Sequence, residues 1–221
     1  MDQKEIGRIF YRDGYRLAHQ HLDQEVNGSS LKSAIRSLYE AVDGLLEAFL
    51  QRSEAEGKPA ECKKGCAWCC HQEVFAVTHE LLYIQDHVQH NFTEHQKNRF
   101  LEKAREKTRL TINKSLESQL MVRSPCPFLE EGACSVYEAR PMACRIYLSS
   151  SEKACRREHD DPGNQKHIPD LYEFPLQAGR MLNEGLVAYL KQTGIQSAEL
   201  PLEQGYASMA TVGQTFESWI G

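Results

Sequence analysis

No stretch of this 221-residue chain comes near the roughly 20 apolar residues that a membrane-spanning helix needs. The opening residues, MDQKEIGRIFYRDGYRLAHQHL, hold no apolar run behind a basic end of the kind a secretory leader has. A cytoplasmic protein with no membrane partner is expected. A basic excess is missing as well: 26 Lys and Arg stand against 31 Asp and Glu, a formal net charge of -5. Proteins that track phosphates carry a basic face or run, so no nucleic-acid partner is expected. There is no internal repeat and no alternating pattern sufficient for a sheet. No phosphate loop, serine triad or acid/base carboxylate pair stands out, which leaves a kinase or hydrolase reading without residues to rest on.

Helical periodicity is present. Over 30–55 the apolar residues Leu31, Ala34, Ile35, Leu38, Ala41, Val42, Leu45, Leu46 and Phe49 predict an amphipathic helix, with Ser29 and Ser30 as available caps. A shorter helix is expected over about 5–24. After a break at Gly57 and Pro59, EVFAV reads as a short extended segment, and Thr78 as the N-cap of a helix through Leu81, Leu82, Ile84 and Val88. Thr93 with Gln96 resembles a capping box, opening a helix that carries Phe100, Leu101, Ala104, Ile112, Leu116 and Leu120. Its run EKAREKTR reads as a solvated face.

From 124 to about 169 periodicity fails, except that RPMACRIYL suggests a short helix with Pro141 in its first turn. Helical spacing returns over 172–190, ended by Gly194, and again over about 207–220. The expected fold is mainly α: N-terminal helices over 1–58 packing on a cysteine-cluster domain over 59–221. Two long irregular loops in it lack the apolar pattern to fold by themselves.

Those loops hold all eight cysteines: Cys62, Cys66, Cys69 and Cys70 in the first, Cys126, Cys134, Cys144 and Cys155 in the second. Cytosolic thiols are kept reduced, so metal ligation or redox chemistry is the reading for such a cluster. An isolated cysteine would be an ordinary small core residue. The Cys66-x-x-Cys69 spacing lets two thiolates from one turn grip one ion, as in zinc knuckles and iron–sulfur ligand loops. Adjacent side chains diverge, so Cys69 and Cys70 suit a site of more than one metal atom that bridges the loops. His71, next in the chain, is a further candidate ligand or a supporting group.

A site of several thiolates accumulates negative charge that cations would offset. Lys63, Lys64, Arg123, Arg140, Arg145, Lys153, Arg156 and Arg157 crowd the two loops. Thiols near Lys63, Lys64, Arg140 and Arg145 are expected to sit below their ordinary pKa.

CKKGCAWCC followed by CPFLEEGACSVYEARPMACRIY resembles the YkgJ-type cysteine-cluster family of zinc- or iron-chelating domains, from about Glu61 onward. The resemblance implies Cys62, Cys66, Cys69, Cys70, Cys126, Cys134 and Cys144 as metal ligands, with Cys155 in a less fixed place. It implies zinc or iron, including an iron–sulfur cluster, as cofactor. A related group is similar to flagellin lysine N-methylases, which combine an iron–sulfur centre with S-adenosylmethionine. Those chains are generally longer, and this one shows no Gly-rich loop after a strand.

Two functions follow as expectations. One is a metal-binding protein that stores, delivers, senses or is stapled by its ion, with or without a protein partner. The other is a redox or group-transfer enzyme using an iron–sulfur centre, with Arg140, Arg145, Tyr137 and Tyr147 facing a substrate.

Overall fold

The computed structural model describes residues 3–221; residues 1 and 2 of the expected N-terminal segment lie outside them. The chain runs α1 (Gln3–Leu22), α2 (Gly28–Ala55), β1 (Phe75–Val77), α3 (Thr78–Asn91), α4 (Glu94–Thr111) and α5 (Leu116–Leu120). It continues through β2 (Leu129–Glu130), β3 (Ala133–Cys134), α6 (Met142–Arg145), α7 (Glu152–Asp160), α8 (Glu173–Gln192), β4 (Glu199–Pro201), α9 (Leu202–Val212) and α10 (Phe216–Ile220). The fold is mainly α. Its strands form two small antiparallel pairs, β1 with β4 and β2 with β3.

The periodic apolar residues do what their spacing implies. Leu31, Ala34, Ile35, Leu38 and Val42 of α2 are wholly buried, as are Leu81, Ile84 and Val88 of α3 and Phe100 and Ala104 of α4. Tyr206 of α9, Phe128 and Phe100 stack edge to face, with centroids 4.8 and 5.5 Å apart. Each such pair adds to the area it buries.

Helices α1 and α8 lie backbone against backbone. A Cβ on Gly14 would stand 1.9 Å from the Leu182 carbonyl oxygen, and one on Gly185 would stand 2.0 Å from that of Tyr11. The approach is therefore open only to glycine at both positions.

Several boundaries differ from the sequence expectation, for local reasons. Asn27, and neither Ser29 nor Ser30, caps α2: its Oδ1 accepts from the Ser30 N–H at 2.9 Å, and Ser30 Oγ accepts from the Asn27 N–H at 3.0 Å. Thr78 is the first residue of α3, and its hydroxyl is spent on Ala198, donating to the carbonyl at 3.1 Å. The cap position is Val77, whose N–H donates to Glu80 Oε2 at 2.9 Å. The capping box at Thr93 and Gln96 is formed as expected. Helix α4 ends at Thr111, so Ile112, Leu116 and Leu120 are 53%, 60% and 44% exposed instead of joining a buried stripe. The last helix is broken in two at Gly213, which has φ +64°. Helix α7 interrupts the second irregular region, with the Ser151 hydroxyl capping it through the Ala154 N–H at 3.2 Å.

One buried histidine makes the fold acid-sensitive. His79 is fully enclosed and its Nε2 lies 3.1 Å from Asn183 Oδ1, while burial pushes its pKa down to about 4. An unfolded histidine titrates near 6.5. The unfolded chain therefore binds the extra proton first as pH falls. Stability present above about pH 6.5 is lost toward pH 4, by on the order of 3 kcal/mol. Urea midpoints measured at pH 7, 5.5 and 4.5 should fall in that order. His79→Gln, which keeps an N–H for Asn183, should flatten the fall, and an equally steep fall in the variant would refute the assignment. Among the described residues, no helix is long and apolar enough to cross a membrane.

Candidate metal centre

Backbone hydrogen bonds stitch the two cysteine loops together. In the first, Gly65 at φ +94° allows the turn that lets the Cys66 N–H reach the Lys63 carbonyl at 3.0 Å. A 3₁₀ turn over Trp68–His71 then carries Cys69 and Cys70. The Cys126 N–H donates to the Cys70 carbonyl at 2.7 Å, and the Ser124 N–H to that of His71 at 3.0 Å. At the other end the Ser149 N–H points at Cys62 Sγ, 3.2 Å away, and the Glu61 N–H donates to the Ser149 carbonyl at 3.0 Å.

Within the second loop each cysteine has its own positioning device. Strands β2 and β3 are joined by Glu131 and Gly132, with φ +50° and +75°. This is the two-residue turn with both φ values positive that matches strand twist, and it sets Cys134 opposite Leu129. Pro141 precedes α6, and its carbonyl accepts the Cys144 N–H at 3.0 Å. Helix α7 supplies Cys155.

All eight cysteines are free thiols, and they fall into two adjoining neighbourhoods. Cys70, Cys126, Cys134 and Cys144 lie within electrostatic reach of one another. Cys62, Cys66 and Cys155 form the second neighbourhood, which touches the first through Cys66 and Cys70. Cys69 stands between them: its thiol is hydrogen-bonded with that of Cys70, and it shares the neighbourhood of Tyr147 with Cys155. Each neighbourhood thus draws from both loops. No group of three or more His, Cys, Asp or Glu among the described residues is drawn together closely enough to hold an ion, so the sulfurs stand as neighbouring thiols and not as a closed cage. The chemistry of the donor set fits zinc or iron, which take thiolates readily.

Cys66, Cys70, Cys126, Cys134, Cys144 and Cys155 are raised and not lowered, contrary to the sequence expectation. Burial pushes Cys126 up to about 12 and Cys134 up to about 11, and raises Cys66, Cys144 and Cys155. Cys70 is raised by its hydrogen bond with Cys69 and then by burial. The expected cations are engaged elsewhere. Lys63 faces Glu152 at 3.6 Å, Arg123 pairs with Glu158, and Arg145 reaches Asp43 at 2.5 Å. Arg140 lies 3.6 Å from Asp43 and moderates Cys134 alone among the buried thiols. Desolvation outweighs what cations remain, as it does for a thiol in apolar surroundings.

The other named side chains divide by environment. Arg145 is 2% exposed. It donates to the carbonyls of Glu138 and Arg140 and lies over the Tyr39 ring at 3.9 Å. That is a framework role, not one facing a substrate. Tyr137 is 56% exposed under the Arg140 guanidinium, 3.8 Å from its centroid. Tyr147 packs beside the thiols, and its hydroxyl accepts from Gln72 Nε2 at 3.3 Å. The Nδ1 of His71 lies 3.0 Å from the Ala67 carbonyl, and its ring meets that of His159 edge on.

Sequence reasoning missed Lys107, placed in the solvated run of α4 but only 3% exposed. Its Nζ donates to the Gln72 carbonyl at 3.1 Å and lies 3.4 Å from Glu203 and 3.8 Å from Glu73, whose side chains are fully covered. The signal was available: Phe100, Ala104, Lys107 and Thr111, the buried residues of α4, keep helical spacing.

Residues 61–166 match the family model CxxCxxCC, described as "Putative zinc- or iron-chelating domain". No curated protein matches the chain, and no solved structure matches it. The matched stretch begins one residue before Cys62 and ends before α8, so every cysteine lies inside it while α1, α2 and α8–α10 lie outside it. The segment 61–166, with both thiol loops and the helices between them, belongs to this family of zinc- or iron-chelating domains.

Proposed function

We propose that the chain holds zinc or iron in a centre of more than one metal atom, with Cys62, Cys66, Cys69, Cys70, Cys126, Cys134, Cys144 and Cys155 as the thiolate donors. The observation that carries this reading is the division of eight free thiols into two adjoining neighbourhoods, each fed by both loops. Cys70 serves the first neighbourhood, and Cys69 stands where the two meet. Four thiolates suffice for one tetrahedral ion, so eight exceed what a single structural zinc requires. A reducing, cytoplasmic setting belongs to the same proposal, since it keeps thiols available.

Metal holding is favoured over a redox or group-transfer catalyst because Arg145 is locked in the framework and the thiols of Cys126, Cys134 and Cys144 are held protonated by burial. The test is metal and sulfide analysis with the visible spectrum of anaerobically purified full chain. More than one equivalent of zinc in a colourless protein, or iron with sulfide in a brown one, is the expected result. Protein that carries no metal, takes up none of either ion, and keeps all its thiols free would overturn the proposal.

A further inference from the structure

Of the cations that sequence places around the cysteines, Lys63, Arg123, Arg140 and Arg145 are paired with carboxylates, and Arg145, though buried, is tied to Asp43 and to two backbone carbonyls. A further buried cation comes from another element. Lys107 of α4 lies within electrostatic reach of Cys70 and Cys126, members of the more enclosed neighbourhood. At rest its ammonium is held by the Gln72 carbonyl, two residues beyond Cys70, and by Glu73 and Glu203. The two carboxylates face each other with no other donor: none of their four oxygens finds a hydrogen bond when both are ionised. One proton shared between them supplies that donor, and burial with the facing Glu203 carboxylate holds Glu73 well above the usual range. Two carboxylates with one proton carry a single negative charge, which Lys107 balances. The group is neutral as a whole, and its cation is the mobile part because an ammonium sits on a flexible stem.

Four thiols that take up a divalent ion release four protons and leave two net negative charges in a covered site. Such a site needs a nearby cation.

We propose that Lys107 is the buried counter-cation of the set Cys70, Cys126, Cys134 and Cys144, compensating the negative charge that this set acquires when its thiols deprotonate to take up a metal. The inference rests on the metal-binding reading above and adds a positioning residue to it. Glu73 and Glu203 are then the parking place of that cation, and they compete with the thiolates for it.

A purely structural ion pair would give the same coordinates, so the test removes that role first. Zinc affinity is measured by chelator competition on the full chain in the parent, in E73Q/E203Q and in K107M/E73Q/E203Q. In the double variant no carboxylate remains for Lys107 to neutralise, and what is left to a merely structural lysine is its hydrogen bond to the Gln72 carbonyl. K107Q, which keeps a donor there without the charge, is therefore measured in that background beside K107M and should bind as weakly. Removing it from that background should weaken one class of zinc sites about 10- to 100-fold, the range seen when an outer partner of a metal ligand is lost. K107R in the same background should bind like the double variant. The double variant itself, which removes the one negative charge that the carboxylate pair sets against the ammonium, should bind zinc more tightly than the parent.

Equal affinities in the double and triple variants, or weaker binding in the double variant than in the parent, would overturn the role of Lys107 while the parent's own binding leaves the metal reading standing. A parent that binds no zinc or iron would overturn both. Loss of fold in the triple variant leaves the sign of the double variant's effect, against the parent, to decide.

Discussion

With Cys70 and Cys144 both changed to serine, the full chain should lose metal and melt at least ~10 °C below the parent. The size follows from what the ligands supply. Metal binding brings its free energy into folding where the site does not exist in the unfolded chain, and in a chain of this length each kcal/mol moves the midpoint by about 2–4 °C. Cys70 and Cys144 are the informative pair because they come from different loops into one neighbourhood. Calorimetry of both proteins with and without a strong chelator is the measurement. The chelator should close most of the gap, because the parent then loses the same ligand. Unchanged melting and full metal content in the serine variant would remove these two residues from the ligand set.

Replacing Arg145 with methionine should cost about 3 kcal/mol, read as a lower urea midpoint at constant slope, with or without metal. Breaking a buried, hydrogen-bonded charge network by removing one partner is costly because the remaining groups are stranded. Here the stranded groups are the Glu138 and Arg140 carbonyls and the face of Tyr39. Asp43, 45% exposed, can return to water, which keeps the cost toward the lower end. Arg145→Lys should recover little, since one ammonium cannot reproduce a planar fork that serves two carbonyls and a carboxylate. A methionine variant within about 0.5 kcal/mol of the parent would mean that the network is idle.

Long periodic helices were legible from the residues alone, because burial of one helix face is a local signal. The apolar stripe of α2 and the Thr93 capping box needed no knowledge of what packs against them. The loops were legible by chemistry and not by shape. Eight clustered thiols announce a metal, but their sorting depends on hydrogen bonds such as Cys126 N–H to Cys70 O, between residues 56 positions apart. Thiol acidity was misjudged for a related reason: charge is visible in a sequence, whereas the burial that raises Cys126, Cys134 and Cys144 is not. Lys107 was hidden by its residue type, since a lysine in a charged run reads as solvent-facing until its helical register is counted. Helix α7 was masked by its composition, EKACRREHD, which offers few apolar positions for periodicity to detect.

The close approach of α1 to α8 also decides how the molecule is built mechanically. With backbone against backbone at Gly14 and Gly185, the two helices form a stiff beam, and α6 is fastened to it where Ile146 fills the notch at Gly179. Cys144 belongs to that side. The β2–β3 hairpin is fastened to other helices, α4 and α9, through Phe128 on Phe100 and Tyr206 and through Arg99, 2.6 Å from Glu130. Cys126 and Cys134 belong there. An ion closing Cys70, Cys126, Cys134 and Cys144 would therefore act as a bolt between α6 and the β2–β3 hairpin, each braced on different helices, and its removal would loosen the joint between them before it disturbed either bracing.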